Sequence, residues 1–198
     1  MVREVDRSVK NFFDSNAMYL LFSNILWAVF MSLIPYGIWN MKLFITFMIV
    51  TVIEVSIAWI WWKKPDIGIV RYNSLTAYTQ FLTMSVFLSF PIYRMTWGYT
   101  WFAVCLGIFV LVWILSIYKR ESLFLAFTSP KGLKTLIPIL IVLGIFFILG
   151  GLSSYRGQEM VLMASLTDYG KAWYISLFCY GLGLFIMFIT APLLKKVE

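Results

Sequence analysis

Residues 43–62 read LFITFMIVTVIEVSIAWIWW, an unbroken apolar stretch whose single ionisable side chain is Glu54. A helix needs about 20 such residues to cross the ~30 Å of bilayer hydrocarbon. In lipid only helices and closed barrels satisfy every backbone N–H and C=O. The stretch lacks the polar–apolar alternation of a membrane strand, so it predicts a transmembrane helix.

The same pattern recurs on both sides. Apolar runs at 17–38, 75–92, 99–118, 135–152 and 172–194 bring the expected spans to six. The fold class expected is therefore an all-α integral membrane protein. It is a single polytopic bundle over 1–198, with no soluble domain and no cleavable signal at its mixed-charge start. Composition agrees: of 198 residues, 62% are hydrophobic and 13% charged, and the mean hydropathy is +0.87. A soluble domain of this size leaves too much surface exposed to hide that much apolar side chain.

Short connections make neighbours antiparallel. Trp39 to Lys42 joins the first two spans as a tight hairpin, Lys63 to Ser74 the next two, and Tyr93 to Gly98 the third and fourth. Longer connections are expected at 119–134 and 153–171. Trp39, Trp61, Trp62, Trp97, Trp101, Tyr118, Trp173 and Tyr174 sit at span ends, where interfacial aromatics collect.

Orientation follows from the basic residues. Arg3, Arg7, Lys10, Lys63, Lys64, Arg71, Lys119, Arg120, Lys131, Lys134, Lys195 and Lys196 fall on one side of a six-span layout. Lys42, Arg94, Arg156 and Lys171 fall on the other. The positive-inside rule then puts both termini in the cytoplasm, and the cell membrane is the expected location. The net charge of +7 is read as topology rather than as nucleic-acid binding.

An acid at membrane depth is costly and is a functional hypothesis by default. Glu54 lies roughly 12 Å from the cytoplasmic end of its helix at 1.5 Å per residue. Asn24 and Thr83 fall at similar depth, and Gln80 one turn nearer the cytoplasm. Thr76, Gln80 and Thr83 share one helix face, as do Thr51, Glu54 and Ala58. Packed hairpins therefore predict a polar seam of Asn24, Glu54, Gln80 and Thr83. It reads either as a ligand- or ion-binding site or as hydrogen-bonded glue between helices. On the outer side, Arg156 and Glu159 are three residues apart and suit pairing on a helix surface. With residues 160–166 they form either a lid over an outward cavity or an interfacial helix. Ser176, Tyr180 and Gly183, and likewise Gly144, Ile148 and Gly151, make small-residue faces for close helix approach.

Other chemistries are excluded by what the chain lacks. It has no His, so His-ligated metals and Ser-His-Asp catalysis are out. Cys105 and Cys179 each lie in an apolar run and read as unpaired core residues. No paired-carboxylate or phosphate-loop motif occurs. No enzymatic activity, metal or cofactor is expected. In size and layout the chain resembles the small substrate-binding subunits of energy-coupling-factor vitamin transporters. That resemblance implies a ligand-binding membrane subunit docked on a partner. The AxxxA docking face usual on their first helix is not made by Ala17 and Ala28. The expected role is a transport or ligand-binding subunit built around Glu54. The alternative is a non-catalytic structural, assembly or protective subunit of a larger membrane complex. In either role the partners are the bilayer and another protein or a second copy, with a small molecule or ion as ligand.

Overall fold

A computed structural model describes residues 6–129, 133–152, 155–156, 159–160 and 165–195. The chain starts with a short helix α1 (Val9–Phe12), a π turn (Phe13–Ala17) and α2 (Met18–Leu33), which follow one another without a break. Then come α3 (Met41–Lys63), α4 (Ile69–Thr96), α5 (Thr100–Thr128), α6 (Leu133–Leu152) and α7 (Asp168–Thr190). A 3-10 turn, Ala191–Leu194, closes the described chain at Pro192. The only strands among the described residues are two residues each, β1 (Tyr155–Arg156) and β2 (Glu159–Met160), paired antiparallel.

Among the described residues, four helices are long and apolar enough to cross a membrane: α3, α4, α5 and α7 with its 3-10 extension. The chain is thus an integral membrane protein of the helical type. Met18–Leu33 and, within α6, Ile137–Phe146 are shorter apolar helices.

Helix ends differ from the apolar runs because hydropathy marks where lipid stops, not where a helix must. α5 continues ten residues past Tyr118 to Thr128. Leu123 and Ala126 are buried there while Lys119, Arg120 and Glu121 face outward. That patterning keeps an amphipathic helix going beyond the hydrocarbon. The expected connection from Lys119 is therefore largely helical. α4 begins at Ile69 rather than Leu75 and carries Pro91 inside it before ending at Thr96. α2 stops at Leu33, two residues before Pro35, because a residue preceding Pro is pushed to extended geometry. Ile34 adopts it, with ψ 141. The turn that follows uses Gly37 at φ 68, a left-handed value open to glycine. Asn40 then caps α3 by accepting from the Leu43 amide at 3.0 Å.

α4 is the centre of the bundle. It packs on α2, α3, α5 and, most extensively, α7. It is the least apolar of the four spanning helices and the most buried, since its polar residues face other helices instead of lipid. Its hydroxyls are mostly satisfied within the helix: Ser85 Oγ donates to Phe81 O at 2.7 Å, Ser89 to Ser85 O at 2.9 Å and Thr96 to Ile92 O at 2.8 Å. The α4–α7 contact depends on Gly183. A Cβ there would stand 2.9 Å from Ser85 O and 3.2 Å from Leu88 Cβ. The Gly183 face thus serves internal packing. Among the described residues nothing lies within 4 Å of a Cβ at Gly144, and Ile148 on the same face is exposed, so Gly144 makes no close approach to them.

Candidate functional site

The buried stripe of α3 is Leu43, Phe47, Thr51, Glu54, Ala58 and Trp62. Steps of three and four residues keep all six on one helix face. The apolar members divide into two clusters. Leu43 and Phe47 join Ala28, Met31, Phe87, Leu88 and Cys179. Ala58 and Trp62 join Phe12, Ala17, Leu20 and Tyr72. Glu54 lies on the stripe between the two groups.

Three helices bring the seam together. Asn24 Nδ2 (α2) donates to Glu54 Oε2 (α3) at 2.7 Å. Gln80 Nε2 (α4) donates to Asn24 Oδ1 at 2.7 Å and to Ser23 Oγ at 3.1 Å. The amides thus form a directed chain, Gln80 to Asn24 to Glu54, that ends on the carboxyl. Thr83 stands close enough to interact with the same carboxyl. Glu54 Oε1 nevertheless has no partner at hydrogen-bond geometry among the described residues, and neither does Gln80 Oε1. Asn24 is fully buried and Glu54 is 3% exposed. No basic residue pairs with Glu54 among the described residues; the one ion pair found there is Lys171–Asp168, at 3.3 Å near the start of α7. Thr51, buried on the same stripe, turns its hydroxyl back to Phe47 O at 2.9 Å and takes no part.

The outer pair is arranged differently from the helix-surface contact that its spacing suited. Arg156 and Glu159 are register partners in the β1–β2 ladder. The segment 161–164 and the residues between the two strands lie outside the described residues.

Arginines do more here than set topology. Arg7 Nη1 donates to Trp62 O at 3.0 Å and also to Lys64 O, while its Nη2 reaches Ile67 O. Arg71 Nη1 donates to Lys195 O at 3.0 Å and Leu193 O at 3.4 Å. Arg94 Nη1 donates to Ser32 O at 3.3 Å and to Ile34 O. Each guanidinium therefore covers carbonyls left over at the end of α3, of the final 3-10 turn or of α2. That relieves the orphan acceptors and opposes the negative end of the helix dipole. Charge counting by side gives no sign of this, because the partners are backbone atoms distant in sequence. Trp62 also departs from its expected interfacial place: it is buried, with its ring 5.0 Å from Tyr72 and 6.1 Å from Phe12. Trp97 and Trp101 do lie exposed at helix ends, and Tyr118 lies exposed at the last position of its apolar run. Cys105 and Cys179 are both free thiols.

The fold and seam define a helical membrane protein in which one acid, among the described residues, is buried and meets a chain of amides. No family model, curated protein or solved structure matches the chain.

Proposed function

We propose that the chain is a transport or ligand-binding subunit of the cell membrane, and that Glu54 is the group that binds a proton or small cation. The observation that carries this reading is Glu54 Oε1, buried yet unpartnered among the described residues. A seam serving only as glue is best built with every polar atom satisfied, because an orphan acceptor costs about 1–3 kcal/mol. An unpaired carboxyl oxygen beside a Thr hydroxyl is a place to hold a proton or a cation. The amide chain fixes the other oxygen.

In this reading the chain crosses six times with both termini cytoplasmic. The uninterrupted helical run from Val9 to Leu33 and the 20 residues of α6 support the two additional crossings. Cysteines introduced at Lys64 and Lys131 of a variant lacking Cys105 and Cys179 should resist impermeant maleimide on intact cells and react after lysis. Labelling from outside would overturn the orientation.

The direct test of Glu54 is infrared spectroscopy of the purified protein in lipid. The protonated-carboxyl band that the native chain shows and Glu54→Gln lacks should rise and fall with pH. A carboxyl that keeps one state across about pH 4 to 10 does not exchange protons, and that result would defeat the proton-binding reading. The second reading, a structural or assembly subunit, draws support from the closeness of packing at 3% exposure of Glu54. It expects that unchanging band.

A further inference from the structure

α3 and α5 both pack on α4 without packing closely on each other. Between them, over α4, runs a groove of about 1110 Å³. We propose that this groove is a binding site for one anionic phospholipid, with an acyl chain along the groove and the phosphate at Arg94 and Lys42.

Its walls are apolar. Val86 and Phe90 of α4 form the floor, with Phe102, Phe109 and Trp113 along α5. Of the polar groups of the lining, Trp113 Nε1 is satisfied by donating to Tyr78 OH at 3.1 Å, while the buried Tyr93 OH has no partner at hydrogen-bond geometry among the described residues. The charged residues of the lining are Lys42 and Arg94, both basic, and no carboxylate lines it. They stand at one end, Lys42 in the first turn of α3 and Arg94 in the last turn of α4. Arg94 is held in place by its bonds through Nη1 to Ser32 O and Ile34 O and by the Tyr36 ring, 5.7 Å from its Cζ. No acid pairs with it among the described residues. A guanidinium so fixed still has donors for a phosphate, which it recognises better than a freely hydrated ammonium does.

Length selects a lipid over a soluble anion. Phe102 to Trp113 spans about 16 Å of α5 at 1.5 Å per residue. One leaflet is half of the ~30 Å hydrocarbon, about 15 Å. A lipid standing in its own leaflet therefore fills the groove with its chain while its phosphate reaches the two cations at the interface. Trp97, exposed at the same end, lies at the headgroup level that interfacial Trp prefers. The inference is independent of the role of Glu54 and of which leaflet faces the cytoplasm.

The test is native mass spectrometry of the full chain released from nanodiscs of equal phosphatidylglycerol and phosphatidylcholine. The native protein should retain one phosphatidylglycerol in preference to phosphatidylcholine. Lys42→Gln should lower that preference about fivefold, the worth of one basic residue at a lipid surface. Arg94→Gln should lower it further, and Arg94→Lys should restore part of it. Lys42 is exposed and holds no helix end, so its variant tests the site even if Arg94→Gln fails to fold. Val86→Trp, which fills the floor, should abolish retention of the lipid with both cations intact. Equal retention of the two lipids, an unchanged preference in Lys42→Gln, or a second copy of the chain in place of lipid would each overturn the proposal.

Discussion

Gly183→Val is expected to destabilise the protein by about 3 kcal/mol, at the upper end for overpacking a close-packed interior. The added Cβ alone would stand 2.9 Å from Ser85 O, a backbone atom of the central helix. It would also stand 3.2 Å from Leu88 Cβ. Neither can swing aside as the tip of a side chain does. The helices must part, and α4–α7 is the most extensive contact in the bundle. In lipid, helices associate largely through such packing, without a hydrophobic drive to compensate for a gap. Gly144→Val is the control. It places the same side chain where nothing lies within 4 Å and should change stability by less than about 1 kcal/mol. Unfolding midpoints in one detergent compare the two; equal midpoints would show that the α4–α7 approach is not limiting.

The contrast between these glycines marks what a sequence conveys. Both lie on faces of small residues, and spacing alone treats them alike. Only the neighbour distinguishes them: α4 stands against Gly183 and, among the described residues, nothing against Gly144. The seam was legible for a different reason. Short connections force α2, α3 and α4 to be neighbours, and a 3.6-residue period then puts Asn24 and Glu54 on facing sides at similar depth, with Gln80 one turn nearer the cytoplasm. Their hydrogen bonds follow from that geometry. Helix ends were less legible, because a hydropathy run ends with the lipid while α5 carries on as an amphipathic helix. Arg7, Arg71 and Arg94 could be counted by side, but their carbonyl partners arise only when separate helix ends meet. The groove over α4 depends on how far α3 and α5 stand apart, which no local pattern encodes.

Asn24 carries the second large effect. It donates to Glu54 Oε2 and accepts from Gln80, each at 2.7 Å. Asn24→Leu removes both bonds at once and leaves the carboxyl without its amide donor. Stranding buried polar groups in this way should cost about 3 kcal/mol. Glu54→Leu strands one amide hydrogen while the Gln80–Asn24 bond persists, and should cost about 1–2 kcal/mol. The double variant removes the carboxyl together with its donor, so the penalties overlap. Its loss should fall short of the sum by about 1–2 kcal/mol, the coupling typical of residues in one network. Glu54→Gln, which keeps size and hydrogen-bonding groups, should be nearly silent in the same unfolding measurement. A strictly additive cycle would mean that the Asn24–Glu54 bond adds nothing to the fold. Coupling together with a silent Glu54→Gln would mean that stability needs the seam's shape and hydrogen bonds but not its acid. Whether position 54 needs an acid is then decided by its infrared band across pH, since either role leaves the fold intact when an amide holds the helices equally well.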